Sequence, residues 1–566
     1  MSPVEVLFRR GTACQRAGRD RDASAAYREV LAHAPNHPGA LHNLGVLMRR
    51  AGQVDEAIVL IARAATVDPG APEPAFSLGL VLHAAGRHAE AGDAFGRAFT
   101  LRPTLESLRA QVAARLAGGQ ADAALAACRA AVAAHPGSTP FRFTLATTLQ
   151  GLGRLDQAEA AYRALATEAP RFVEAVGNLG KVLVDQGCLP EAETWYRRAL
   201  ALAPDRAALL NSLGSLLSML GHHEEAVALL RRSLARRPAH VGTACNLAFA
   251  LLRKGDLREG WERYEARWRL PAMAAQLPAC PQWRGEPPAG RTILLHAEQG
   301  LGDTLQFVRY APLLAGLGAR VVLECQGELV RLLRRVEGIE RIITRGELRP
   351  PVDLHCPLMS LPHAFGTILA TIPSAVPYLA PDPADFARWQ AWRGAVAQDS
   401  RRLVGLVWAG QARPEVPDAL AIDRRRSLDL PAFRALGEVP GVRFVSLQKG
   451  RAASQAAGEA TGLDLMDPMG QVADFGDTAA LLQVLDLVIA VDTSVPHLAG
   501  ALGRPVWLLS RFDSCWRWLW GRNDSPWYPT LRLFRQPYPG AWDPAMAELR
   551  TALIAWAGQP REEGGV

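Results

Sequence analysis

Prolines at 35, 69, 103, 136, 170, 204 and 238, and glycines at 18, 52, 86, 119, 153, 187, 221 and 255, recur every 34 residues, once after 33. No other feature restricts the fold of this chain so strongly. A helical stretch precedes each glycine ("LHNLGVLMRRAG", "VGNLGKVLVDQG"), and a second lies between the glycine and the next proline ("QVDEAIVLIARAATVDP", "HHEEAVALLRRSLARRP"). The glycine turns the chain out of the first helix, and the residue before a proline resists the α region, which stops the second. A helix pair cannot bury its apolar face alone, so the first half should be a stacked superhelix whose concave face is lined by the first helix of each repeat.

The pattern resembles the tetratricopeptide repeat, assigned here to residues 1–270. One column in register with the repeat reads Asn43, Ser77, Gln111, Thr144, Asn178, Ser212 and Asn246, all polar and uncharged. Either these positions simply face solvent, or their side chains form a ladder that hydrogen-bonds the backbone of an extended peptide, donating to carbonyls and accepting from amides. A protein partner, acceptor or adaptor, is expected on the concave face in either case. "GDLREGWERYEARWRLP" (255–271) turns aromatic at Trp261, Tyr264 and Trp268, which reads as a cap over the last repeat. Residues 271–290, proline-rich and without periodicity, read as a linker.

Beyond the linker, short apolar runs alternate with helical patterns. RTILLHA, RVVLEC, RIIT and VDLHC form one group, and LVGLVWAG, VRFVSL, LDLVIAVD and RPVWLLS a second. This alternation predicts two parallel-sheet, Rossmann-like lobes, at 291–395 and 396–560, with ligands at the carboxyl ends of the strands. The fold class expected is therefore α + α/β: an all-helical array followed by two such lobes.

At 566 residues and 49% hydrophobic content the chain can bury several cores, yet no run of 18 apolar residues occurs and the N-terminus lacks a signal-like stretch. A cytoplasmic location without a membrane span is expected. Eight cysteines without a C-x-x-C pair argue against a zinc site or a disulfide framework. The net charge of +7 comes from arginine, since Lys181, Lys254 and Lys449 are the only lysines. The charge is local, so a phosphate-bearing small molecule explains it and nucleic acid is not an expected partner.

Three segments carry candidate chemistry. "LLHAEQGLGDTLQFVRYAPLL" (294–314) joins a strand to a helix expected over 304–316 through Glu298, Gly300, Gly302 and Asp303. Asp303 is either a helix cap or a base that takes the proton from a hydroxyl nucleophile. "LDLVIAVDTSVPHLAGALGRPVWLL" ends a buried strand at Asp492 and starts a helix at Thr493 and Ser494, with His497 in its first turn. A helix N-terminus of this kind holds phosphate, or is ordinary capping. Arg424, Arg425, Arg426 and Ser427, expected just before a helix, and the strand end at Gln448 and Lys449, converge on the same lobe. No D-x-D pattern follows residue 290, so no metal site is expected and a leaving diphosphate would depend on arginines and helix dipoles.

"EQGLGDTLQFVRYAPLL" and "VDTSVPHLAGALGRPVWLL" resemble the N-lobe turn and the donor motif of bacterial heptosyltransferases. The whole chain is similar to bacterial proteins that join tetratricopeptide repeats to such a module, flagellin glycosyltransferases among them, and in layout to O-GlcNAc transferases. The tail "WRWLWGRNDSPWYPTLRLFRQ" matches the repeat-linked group, although Cys515 stands where that group leads one to expect an aspartate. The resemblance implies a GT-B glycosyltransferase, metal-independent and inverting, that moves a sugar from a nucleotide-sugar co-substrate to Ser or Thr of a protein and uses no other cofactor. It implies Asp303 as catalytic base. The donor would be bound by Arg424, Arg426, Ser427, Gln448, Lys449, Asp492, Thr493, Ser494 and His497. The acceptor side would comprise Glu298, Gly300 and Gly302, with Asn43, Asn178 and Asn246 of the array. The alternatives are a repeat scaffold with a non-catalytic lobe, and a transferase acting on a lipid or polysaccharide acceptor.

Overall fold

The computed structural model describes residues 2–397, 399–411, 417–457 and 462–560. Sixteen helices, from Pro3–Arg16 to Leu257–Tyr264, fill the region of the repeats. All eight phased glycines have positive φ, between 70° and 97°. At Gly52 a Cβ would meet nothing within 4 Å, so the demand there is on backbone conformation alone. A second glycine column serves a different purpose: a Cβ on Gly79 would lie 2.6 Å from the ring of Phe95, and Gly45 faces Ile61 in the same way. The two helices of a repeat pack this closely because the first carries no side chain at the crossing.

The chain divides into two compact units, one of residues 1–186 with 194–202 and the other of residues 187–193 with 203–566. The last repeats, from helix Ala207–Met219 onward, thus share a unit with the sheets. The first sheet has the strand order β3-β2-β1-β4, from β1 (Thr292–His296), β2 (Arg320–Cys325), β3 (Ile339–Thr344) and β4 (Leu354–Pro357), all parallel. The second is built from β5 (Arg402–Val407), β6 (Val442–Ser446), β7 (Leu465–Met466), β8 (Leu487–Val491), β9 (Val506–Ser510) and β10 (Leu531–Arg535). Its order is β10-β9-β8-β5-β6-β7, again parallel throughout.

One core runs through this unit, joining Ala248 and Leu252 of helix Val241–Lys254, the cap residues Trp261 and Tyr264, Phe307 beside the first sheet, and Trp516, Trp518 and Trp527 of the tail. The ring of Trp261 lies 5.1 Å from that of Trp516 and 6.0 Å from that of Phe307, edge to face. The far face of the second sheet has its own core around Trp408, Phe433, Phe444 and Leu549. The far face of the first carries a small cluster of Leu294, Val322 and Ile343, with Val352 against them.

The structure departs from the sequence reading in three places. The helix expected over 304–316 is two short helices, Leu301–Phe307 and Ala311–Gly316, joined by a tight turn, because Pro312 starts the second and lacks the N–H to continue the first. The three arginines 424–426 close a helix, Pro417–Arg426. The second sheet has two strands more than the four expected, the short β7 at one edge and, from the tail, β10 at the other.

Candidate functional site

The carboxyl ends of the two sheets meet through two helix starts. From β1 the chain passes Glu298 and turns at Gly300 into helix Leu301–Phe307, and from β8 it passes Asp492 and Thr493 into helix Ser494–Ala501. Gly302 is the point of contact: a Cβ there would lie 2.8 Å from His497 Cδ2 and 3.5 Å from Ser494 Cα. The glycine-rich turn therefore lets one lobe's helix rest on the backbone of the other's.

Asp303 stands at this junction with both oxygens engaged. Its Oδ2 accepts from Gly300 N–H at 3.0 Å, the reciprocal half of a helix cap, and its Oδ1 pairs with the guanidinium of Arg517. Arg517 in turn donates to Cys515 Sγ at 3.0 Å and lies over the Trp516 ring. Burial depresses the Arg517 guanidinium, but the Asp303 carboxylate, together with Cys515 and Tyr264, more than offsets it and holds Arg517 well above its ordinary value. His497 is buried, stacked 4.8 Å from Trp518, and shares a 3.0 Å hydrogen bond with Tyr528 Oη through Nδ1. Burial, reinforced by Arg517 and Arg309, pushes its pKa far below the usual value, so this imidazole is neutral.

The residues expected to bind a donor lie near the ends of β6 and β8 and of helix Pro417–Arg426, and many of their polar groups are already used. Arg426 donates Nη1 to Asp492 O at 2.8 Å and pairs with Asp423 at 2.9 Å. A Cβ on Gly410 would lie 2.7 Å from Arg426 Cζ, so the arginine fills the space that this glycine leaves open. Ser427 Oγ accepts from Gly410 N–H at 3.0 Å, and Lys449 Nζ donates to Val472 O at 2.5 Å. Gln448 is spent entirely on backbone: Oε1 accepts from Trp408 N and Ala409 N, while Nε2 donates to Ala409 O and Lys449 O. Arg424 is exposed. Thr493 differs from all of these. It caps helix Ser494–Ala501 in extended conformation without a side-chain cap bond, and its Oγ1 is buried with no partner among the described residues. That hydroxyl and the first N–H groups of the helix can serve an anion.

Glu298 does not line an open acceptor surface. It forms a buried two-point ion pair with Arg267 from the cap segment, at 2.8 and 2.9 Å, and also accepts from Met359 N–H. The array asparagines are partly committed too. Asn43 Nδ2 donates to Tyr27 Oη and Asn178 Nδ2 to Tyr162 Oη, each at 3.1 Å and each bridging to the preceding helix, while Asn246 Nδ2 donates to Asn211 Oδ1. All three are half-buried.

Two arginines that sequence reasoning did not place organise the junction. One is Arg517, 214 residues from Asp303, whose "WRW" context was the only signal. The other is Arg309, whose guanidinium donates to Gln306 O, Pro373 O, Trp527 O and Tyr378 Oη, and packs over the rings of Tyr378 and Tyr528 at 4.4 and 4.7 Å.

The tetratricopeptide-repeat families match residues 16–79, 72–97, 115–171 and 173–239. The helical array is made of tetratricopeptide repeats. Protein FlbA of Caulobacter vibrioides is 31% identical over 339 residues, which are 55% of this chain and 54% of FlbA, so the chain spans about half the length of this curated relative. Among solved structures, the Naa15/Naa10 complex bound to HypK-THB is similar at 19% identity over 48% of this chain and 42% of that one, with a TM-score of 0.30. A thermophilic tetratricopeptide-repeat protein of Thermus thermophilus is similar at 26% identity over 32% of this chain and 100% of that one, with a TM-score of 0.27.

Proposed function

We propose that this protein is a glycosyltransferase of GT-B type that moves a sugar from a nucleotide-sugar donor to Ser or Thr of a protein held by the repeat array. The observation that carries the reading is the junction itself. A helix start with an uncommitted Thr493 hydroxyl and a turn bearing Asp303 are held against each other at the carboxyl ends of two parallel sheets.

In this reading the diphosphate lies at the N-terminus of helix Ser494–Ala501, where the helix dipole and Arg426 oppose its charge. The acceptor oxygen attacks the anomeric carbon from the face opposite the diphosphate, Asp303 takes the hydroxyl proton, and the bond to the nucleoside diphosphate breaks with its electron pair. Such a single displacement inverts the anomeric centre. The cations that balance the leaving group belong to the protein, so transfer persists in EDTA.

The test is intact-mass analysis of a flagellin-like acceptor incubated with the full chain and a panel of nucleotide sugars. Transfer is expected for the parent protein, with a loss on the order of 100-fold for Asp303→Asn, which keeps the shape of the cap but removes the base. Equal rates would assign Asp303 to capping and place the base elsewhere. A second reading, a repeat scaffold with a silent lobe, is favoured by the engagement of both Asp303 oxygens and the full commitment of Gln448. Binding of the protein partner without transfer from any donor would support it.

A further inference from the structure

Where the last repeats approach the carboxyl edge of the second sheet there is a cavity of about 140 Å3 with three arginines in its wall. Arg253 comes from helix Val241–Lys254, Arg425 from the end of helix Pro417–Arg426, and Arg511 from the turn beyond β9. One carboxylate, that of Asp513, pairs with two of them. Asp513 Oδ2 accepts from Arg511 Nη1 at 2.7 Å and from Arg425 Nη2 at 3.1 Å. Arg253 instead donates to neutral acceptors, Ser514 O and Ser218 Oγ, each at 3.1 Å. Among the described residues that line it, the cavity therefore holds three cations against one anion.

Both Arg511 and Asp513 are buried, and Arg425 Nε and Arg511 Nε are buried without an acceptor among the described residues. Buried charges are ordinarily paired and buried donors ordinarily bonded, so a surplus of both marks a place built for something else. Asn246 adds a carboxamide to the wall, and the volume is that of about four to five water molecules at roughly 30 Å3 each, enough for one tetrahedral or planar oxyanion. The neighbouring Arg426 points elsewhere, to Asp492 O, so the two adjacent arginines address different places.

We propose that this cavity is an oxyanion-binding site that takes a phosphate or carboxylate group, held by Arg253, Arg425 and Arg511. Charge-assisted hydrogen bonds to the free guanidinium donors would supply the binding. The proposal does not rest on glycosyl transfer, because an anion can bind here with no donor sugar present.

The experiment is calorimetry on the full chain at constant ionic strength in chloride, with inorganic phosphate and glutarate as separate probes. Saturable binding of either is expected, phosphate alone marking a phosphate site and glutarate alone a carboxylate site. Affinity should fall at least tenfold in Arg425→Gln and Arg511→Met, and should be kept in Arg550→Gln, a surface control. Because Arg511→Met could perturb folding, Asn246→Ala, which leaves every cation in place, provides a milder variant with an expected smaller loss. Absence of saturable binding by both probes would overturn the proposal. So would binding that is indifferent to Arg425→Gln yet lost in Thr493→Val, which would place the anion at the helix start instead.

Discussion

Gly302 matters less for its freedom than for its lack of a side chain. In Gly302→Ala the new methyl meets His497 Cδ2 at 2.8 Å, and that ring cannot retreat because it is buried against Trp518 and hydrogen-bonded to Tyr528. The turn must lift, at a cost of about 1–3 kcal/mol by analogy with overpacked cores, and Asp303 moves with it. Denaturant unfolding should show that loss of stability, and the Asp303–Arg517 pair should be the first contact disturbed. The sequence made Asp303 visible as part of a glycine turn, and left open whether it caps or catalyses. It could not reveal Arg517, whose pairing depends on a fold that brings together residues 214 apart. Nor could it reveal that Gln448 is consumed by the backbone at the ends of β5 and β6, because an amide at a strand end looks the same in sequence whether it faces a ligand or a carbonyl.

At the scale of the element, the repeat was legible because two glycine columns with different tasks recur with it. The task can be read from which substitutions each position tolerates. At Gly52, with φ of 78° and open space around it, tolerance should follow the left-handed region, so Gly52→Asn retains more stability than Gly52→Ala, and Gly52→Val the least. At Gly79, in a helix and 2.6 Å from the Phe95 ring, tolerance should follow volume, so Gly79→Ala is milder than Gly79→Asn. Urea midpoints of the alanine and asparagine variants at each site decide the matter, and a common ranking at both would contradict it. The principal strands were equally legible, since buried parallel strands read as continuous apolar runs. β10 was not, because "LRLFR" mixes two arginines into a short apolar run and lacks the continuous apolar stretch of the central strands, as suits a strand at the sheet edge. The helix after Gly300 was overextended in the reading because an amphipathic period survives a break at Pro312.

On the scale of the whole molecule, the unit that holds the sheets carries four histidines kept from protonation by burial. His223 and His355 are pushed down to about 4 and His296 to about 3, in each case mainly by burial, and burial also holds His497 well below its ordinary value. His223 has no hydrogen-bond partner among the described residues for either ring nitrogen, and His296 Nε2 shares a 3.1 Å bond with His355 Nδ1. The folded pKa values lie below the unfolded ones, so the unfolded chain binds more protons and stability declines as pH falls below about 6.5. Unfolding followed by tryptophan fluorescence, which reports on this unit because all tryptophans but Trp195 lie within it, should show that decline between pH 6.5 and 4.5, with proton uptake on unfolding. A stability independent of pH in that window would mean the imidazoles are not held neutral.

The division into units also determines where the array can be cut. Ala248 and Leu252 belong to the same core as Trp261, Phe307 and Trp516, so helix Val241–Lys254 supports the sheets as well as ending the repeats. Removing residues 1–202 should leave a protein that still unfolds cooperatively, because residues from 203 onward make up all of the sheet-bearing unit except residues 187–193. Removing residues 1–254 takes two buried residues out of that core and exposes the aromatic rings they cover, which should lower the midpoint by several degrees or yield aggregated protein. If the proposed transfer holds, the shorter deletion should also retain nucleotide-sugar binding while losing modification of the protein acceptor, since most of the concave face is gone. Calorimetric scans of the two truncations, each with and without donor, provide the comparison. Equal midpoints would show that helix Val241–Lys254 contributes nothing to the sheet-bearing unit. Retained acceptor modification after the first deletion would move acceptor recognition from the repeats to the junction around Asp303.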